Sequence, residues 1–221
     1  MLWAFALALV LPILAVAAVR FINPPITPLM LLRQAEARMT GQHSKERHYA
    51  WIDYATVPHD FWQCVLTSED QRFFAHHGFD WKEIEASRER AARTGKPARG
   101  ASTITMQCAR SLFLWQDRSW IRKGLEAYFT FWMETLLSKR RILELYVNVI
   151  EMGDGVYGLE AAARQHFGVA AAQLTREQCA LLAAVLPNPR VWNPRSPGPQ
   201  LARRQARLLL QAPHSTYPLP R

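Results

Sequence analysis

TSEDQRFFAHHGFD, residues 67–80, sets two adjacent acids, Glu69 and Asp70, against three phenylalanines and two histidines and ends just past a glycine. A glutamate beside Phe73 and Phe74 loses water. That loss raises a carboxylate's pKa toward the range in which it serves as a general base near neutral pH. The plain alternative makes Glu69 and Asp70 helix-end charges and the phenylalanines ordinary core. Residues 60–66 read as the helix leading into the stretch. Residues 51–58, rich in β-branched and aromatic side chains, are expected as a short strand. On the other side, Asp80 with Glu83 three residues on is a capping-box pattern for a helix to about Ala92, stopped by Thr94, Gly95, Lys96 and Pro97.

Further out the spacing is helical. Ser119 can cap a long helix with the stripe Ile121, Leu125, Tyr128, Phe129, Trp132 and Leu136. Ser138 starts another, with Ile142, Leu145, Tyr146 and Val149, which Gly153, Asp154 and Gly155 break. A short helix is expected over Leu159–Phe167. Thr175 and Gln178 cap one running to Leu186, where Pro187, Asn188 and Pro189 end it. A basic helix over 201–211 precedes a proline-rich tail. The expected fold is mainly α, with no internal repeat.

The 221 residues carry 27 Lys and Arg against 18 Asp and Glu, a net charge of +9 that calls for an anionic partner. Cys64, Cys108 and Cys179 are widely spaced and odd in number, which signals neither a disulfide framework nor a zinc site and leaves them as small buried hydrophobes. Leu2–Val19 is a charge-free run of about the minimum length for a membrane-spanning helix, tolerating Pro12 and ending at Arg20, Asn23, Pro24 and Pro25. A cleaved signal peptide is the other reading, because Ala15 and Ala17 have cleavage-site spacing. No Lys or Arg precedes the run, so flanking charge does not orient it. The expected organisation is an anchor over 1–20, a membrane-proximal segment over 21–50, the main domain over 51–212 and a tail over 213–221. Arg88, Arg90, Arg93, Lys96 and Arg99 suggest a solvated flap. Nucleic-acid binding would explain the charge but not the anchor, and the usual motifs are absent.

Two more blocks carry chemistry. GASTITMQ, residues 100–107, opens a helix that carries Gln107 and Arg110. Ser102 and Thr103 at its start could seat phosphate oxygens or simply cap it. In RSWIRKGLEA, residues 118–127, Arg122 and Glu126 are four apart and Lys123 and Glu126 three apart, so the three heads share one helix edge. With Arg110 and Arg118 they could neutralise a diphosphate leaving group, or be a surface ion-pair cluster.

In this order and spacing the blocks resemble the family 51 glycosyltransferases, the peptidoglycan polymerases, over about 62–189. The Glu-Asp-x-x-Phe-x-x-His-x-Gly-x-Asp motif is met by Glu69, Asp70, Phe73, His76, Gly78 and Asp80. The Gly-Gly-Ser-Thr-Ile-Thr-Gln-Gln motif is met by Gly100, Ser102, Thr103, Ile104, Thr105 and Gln107. Arg-Lys-x-x-Glu is met by Arg122, Lys123 and Glu126, and Ile-Leu-x-x-Tyr-x-Asn by Ile142, Leu143, Tyr146 and Asn148. Ala101, Met106 and Arg110 depart from the pattern. The likeness is closest to the monofunctional transglycosylases of Gram-negative bacteria. It implies a lysozyme-like helical domain behind one transmembrane helix, in the inner membrane, with the catalytic domain in the periplasm.

The resemblance also implies a reaction. Lipid II is polymerised into β-1,4-linked glycan strands with inversion at the anomeric carbon and release of undecaprenyl diphosphate. Glu69 and Glu126 are then catalytic. Ser102, Thr103, Gln107, Arg110, Arg118, Arg122, Lys123 and Asn148 bind substrate. The resemblance leaves room for a divalent cation, Mg or Mn, and implies no other cofactor. Partners are lipid II, the growing glycan chain, membrane lipid and other cell-wall synthesis proteins. A lysozyme-like glycan-cleaving enzyme and an inactive scaffold of a wall-synthesis complex are the alternatives.

Overall fold

Side-chain oxygens start most of the helices. Thr27, Asp80, Thr103, Ser119, Ser138 and Thr175 each accept the backbone N–H three residues on, satisfying a donor that a helix N-terminus leaves open. The computed structural model describes residues 2–40, 47–95, 101–117 and 119–220, with side chains of residues 2–9 excepted. In chain order the elements are α1 (Leu2–Val19), α2 (Pro28–Met39), β1 (His48–Tyr49), α3 (His59–Glu69), α4 (Trp81–Thr94), α5 (Ile104–Phe113), α6 (Trp120–Leu136), α7 (Lys139–Val149), β2 (Glu151–Gly153), β3 (Val156–Tyr157), α8 (Leu159–Phe167), α9 (Arg176–Val185) and α10 (Pro199–Gln211).

The fold is mainly helical, as the spacing indicates. α3, α9 and α10 pack on one another. α5 lies against both α6 and α7 while α2 and α1 lean on α5 and α6 respectively. Phe61, Leu66, Phe73, Ile104, Met133 and Tyr146 are fully buried where these helices meet. Each such side chain contributes roughly 1.5–3 kcal/mol of burial. The α7 stripe points inward as expected, and Cys64, Cys108 and Cys179 are buried free thiols.

Two expectations need correction. The strand foreseen over 51–58 is instead a short 3-10 turn at Tyr54–Thr56, because the backbone of Ile52 is already paired with the Asn148 amide and Tyr54 N–H donates to Glu144. The strand lies upstream at β1, which joins β3 in parallel, with β2 antiparallel on the other side of β3. Gly153–Gly155 break the helical pattern as expected and form the turn of that ribbon. On α6, Ile121 is 76% exposed while Arg122, Glu126, Phe129, Thr130 and Met133 form the buried face, so the helix is rotated from the reading of its apolar stripe.

The apolar N-terminal run is helical over all 18 residues of α1. Among the described residues no helix is long and apolar enough to cross a membrane. Arg141 fixes the end of α1 to α7, donating to the Val19 and Ile22 carbonyls and to Asn23 at 2.9, 3.1 and 2.8 Å. A cation at a helix C-terminus is favourable there. Lys96, Arg99 and Gly100, part of the basic flap and the start of the second motif, lie outside the described residues.

Candidate active site

Glu69 is the last residue of α3, whose Phe61, Cys64, Val65 and Leu66 are buried in the core. The helix stops at Asp70, which takes an extended backbone. Glu69 thereby reaches a cavity of about 230 Å³ that Ser68, Arg72, Asp80, Ser102 and Thr103 also line. Its side chain keeps 12% exposure. Burial pushes its carboxyl above the ordinary carboxylate range, against the opposing pull of the Gln107 amide, the Arg204 charge and the Ser68 hydroxyl. Gln107 Nε2 donates to Oε2 at 3.1 Å, Ser68 Oγ to Oε1 at 3.2 Å, and Arg204 Nη2 stands 3.8 Å from Oε1.

Asp70 has a different task. It accepts from His76 Nε2 at 2.9 Å and from the Ile104 N–H at 3.0 Å, so it ties the end of α3 to the start of α5. Thr103 adds a second tie, accepting the Met106 N–H and donating to the Gly78 carbonyl at 2.7 Å. Gly78 has φ +86°, and a Cβ there would lie 2.7 Å from Thr130 Cγ2, so only glycine lets α6 pass this close. The first two motifs and α6 are thus locked into one wall. Met106 is 5% exposed and packs inside.

Gln107 connects Glu69 to the rest. Its Oε1 accepts the Tyr146 hydroxyl at 3.2 Å, and its side chain lines a second cavity, of about 240 Å³, with Arg110, Ser111, Gln116, Asn188 and Arg190. The buried Nε of Arg110 has no hydrogen-bond partner. On α6, Glu126 is fully buried and both its oxygens accept from cations, one from Arg122 Nη1 and the other from Lys123 Nζ. Arg122 Nε also donates to the Asp117 carbonyl at 2.7 Å, and Lys123 remains 39% exposed. This cluster adjoins the loop of Gln116 and Asp117 at the edge of the second cavity.

Of the expected residues, Glu69, Ser102 and Thr103 share the first cavity, while Gln107 and Arg110 line the second. Arg122, Lys123 and Glu126 form their own cluster. Arg118 lies outside the described residues. Asn148 is corrected: it is fully buried, and its amide is used on both backbone groups of Ile52 and on the Glu144 carbonyl, so it clamps the fold. Glu126, with both oxygens paired to cations, does not fit a metal. Asp70, His76 and Asp80 offer ligand atoms within 4.8 Å of one another. Asp70 is already engaged by His76 and Ile104, and one oxygen of Asp80 by Arg72 at 3.0 Å and the Glu83 N–H.

Arg204 was not among the expected residues. It follows Leu201 by three and precedes Leu208 by four, both buried, which places it on the inner face of α10. That spacing was the available signal. Arg204 is held by the Ala184 carbonyl at 3.3 Å and lies over the Trp192 ring at 5.9 Å.

A buried glutamate beside cavities edged with arginines, on a helical frame, suits group transfer from an anionic leaving group. The transglycosylase family model matches residues 36–213. The chain belongs to that family. It is 48% identical over 200 residues to the biosynthetic peptidoglycan transglycosylase of Xanthomonas campestris pv. campestris (strain B100), an alignment covering 90% of this chain and 81% of the relative. It is similar to the protein of the same description from Xylella fastidiosa (strain M23), 46% identical over 90% of this chain and 82% of the relative. Another, from Rhodospirillum centenum (strain ATCC 51521 / SW), is 48% identical over 90% and 83%.

Proposed function

We propose that the chain is a peptidoglycan glycosyltransferase that joins lipid II units to a growing glycan strand. The observation that carries the mechanism is the buried, Gln107-bound carboxylate of Glu69 on an accessible polar cavity. Burial raises its pKa and so makes it a stronger base than an exposed carboxylate. Glu69 takes the proton from the acceptor sugar's 4-hydroxyl, whose oxygen attacks the anomeric carbon of the donor. The carbon inverts, a β-1,4 bond forms, and the bond to undecaprenyl diphosphate breaks. Gln107 holds Glu69 in place.

The diphosphate leaves toward Arg110, Arg122 and Lys123. Glu126 keeps the last two pointed together, a fixed anion that sets the geometry of cations. Arg118 joins them in this reading. Ser102 and Thr103 line the sugar-binding side, Thr103 chiefly through the wall it holds.

α1 anchors the enzyme in the bacterial inner membrane as a single pass, with the catalytic domain in the periplasm. Its 18 residues span about 27 Å, short of a hydrocarbon core of about 30 Å, a mismatch that local thinning of the bilayer accommodates. Phe21 and Ile22 at its end are 79% and 61% exposed, which suits contact with lipid. The test is incubation of detergent-solubilised protein with labelled lipid II, with and without moenomycin, then muramidase digestion. A moenomycin-sensitive polymer that muramidase degrades is expected. Cleavage of preformed glycan with no polymer would replace this reading by a lytic one.

A further inference from the structure

The cavity of Gln107 and Arg110 continues beyond the residues assigned above. Arg33 and Arg190 line it and also line an adjoining cavity of about 200 Å³ between α2 and the β2–β3 turn, where Arg47 and Tyr157 complete the wall. Among the described residues two buried polar atoms here, Glu151 Oε1 and Tyr157 Oη, have no hydrogen-bond partner, and Arg33 Nε has only the Glu151 carboxylate, at 3.6 Å. Glu151 is 7% exposed and Tyr157 only 1%. Buried polar groups are almost always paired, so two unpartnered atoms and a long ion pair along one cleft mark a place built for something else to bind.

The charges narrow the occupant. Arg33 lies 3.6 Å from Glu151 and pairs with Glu36 at 2.8 Å, and Arg190 stands 3.8 Å from Asp154. The site therefore offers guanidinium and hydroxyl donors next to carboxylate acceptors. Burial also pushes the Glu151 carboxyl up. Such a set is complementary to a group that bears both a carboxylate and an N–H, and its carboxylates oppose a bare diphosphate. In the substrate class proposed above, only the peptide carries both.

We propose that Arg33, Glu151, Tyr157 and Arg190 form a subsite for the peptide stem of the glycan strand, continuous with the cavity of Gln107 and Arg110. This rests on the polymerase reading. Arg33 and Arg190, with the Tyr157 hydroxyl, donate to a peptide carboxylate, while Glu151 accepts from a peptide N–H. The subsite lowers KM for strands that carry intact peptides and leaves the bond-forming step to Glu69.

The test compares KM for lipid II with that for the same lipid-linked disaccharide lacking its peptide, in wild type, Tyr157→Phe and Arg190→Gln. The wild type is expected to show a KM about tenfold lower for the peptide-bearing substrate, and each variant a ratio near one. Tyr157→Phe removes a hydroxyl with no partner, so its Tm should stay equal or rise, which separates binding from folding. Equal KM values in the wild type, while polymer forms from both substrates, would overturn the subsite and leave the polymerase reading standing. So would a variant effect that follows the anionic phospholipid content of the vesicles in place of the peptide. No polymer from either substrate would overturn the polymerase reading and the subsite with it.

Discussion

Glu69 and Glu126 are both held away from water, yet their neighbours are opposite in kind. Glu69 has an amide, a hydroxyl and one arginine at 3.8 Å, and keeps a window to a cavity. Glu126 has no exposed surface and each of its oxygens meets a cation. A carboxylate in the first setting can exchange a proton with a substrate. One in the second is a strut for the charges around it. The same residue type is thus suited to act as a reagent or as a support according to whether neutral donors or full charges satisfy it.

Substitution by glutamine should break this comparison open. Glu69→Gln is expected to lower turnover by about 10²–10⁴-fold while the protein stays folded, measured by polymerisation of lipid II. The stability sign follows from burial. The folded state binds the Glu69 proton more tightly than the unfolded chain, so this contribution is full below the unfolded pKa and is lost as pH rises through the raised folded value. Glutamine cannot ionise, so above that pH the variant should melt no lower than wild type. Glu126→Gln should instead leave Arg122 and Lys123 without their anion. Breaking a buried pair costs about 3–5 kcal/mol, and a chain of this size loses roughly 2–4 °C of Tm per kcal/mol. Thermal melts of the two variants moving together would remove the distinction.

A smaller effect tests how Glu69 is held. Gln107→Leu removes the amide that donates to Glu69 and accepts from Tyr146. The carboxylate loses an interaction that lowers its pKa, so the acid limb of kcat/KM should move to higher pH and turnover at neutral pH should fall about 10–100-fold. A flat loss without a moved limb would mean that Gln107 acts on substrate alone.

The contrast between the acids explains what was legible beforehand. Glu69 stood out because its neighbours in sequence are also its neighbours in space: Ser68, and the turn that Asp70, His76 and Gly78 shape. Most helix starts were equally local, set by a hydroxyl or acid three residues ahead. α6 misled because its apolar residues outnumber its charged ones, and an apolar stripe is normally the inner face. Here the Arg122–Glu126 pair turns inward and Ile121 outward, an arrangement only tertiary partners such as the 114–117 loop decide. Asn148 carried a family motif, but its amide is used on Ile52, 96 residues away in sequence, and no local pattern reveals that. The ribbon of two- and three-residue strands was likewise too short to show alternation.

Arg204 sharpens the comparison most finely, since it is a full positive charge beside Glu69 whose signal in the sequence was only its spacing from Leu201 and Leu208 on a basic helix. It stands 3.8 Å from the carboxylate and its side chain is 35% exposed, so solvent weakens its pull. An ion pair of that kind is worth up to about 1 kcal/mol, which sets the scale at no more than about fivefold in rate for Arg204→Gln. The direction is fixed: the arginine lowers the Glu69 pKa, so its loss should raise the acid limb of kcat/KM. Salt separates this from a packing role. Screening shortens from about 10 Å at 0.1 M to about 3 Å at 1 M, so added salt should move the wild-type limb up toward that of the variant and move the variant less. Limbs that coincide at low salt would assign Arg204 to its hold on the Ala184 carbonyl and the Trp192 ring, and leave Glu69 tuned by burial and Gln107 alone.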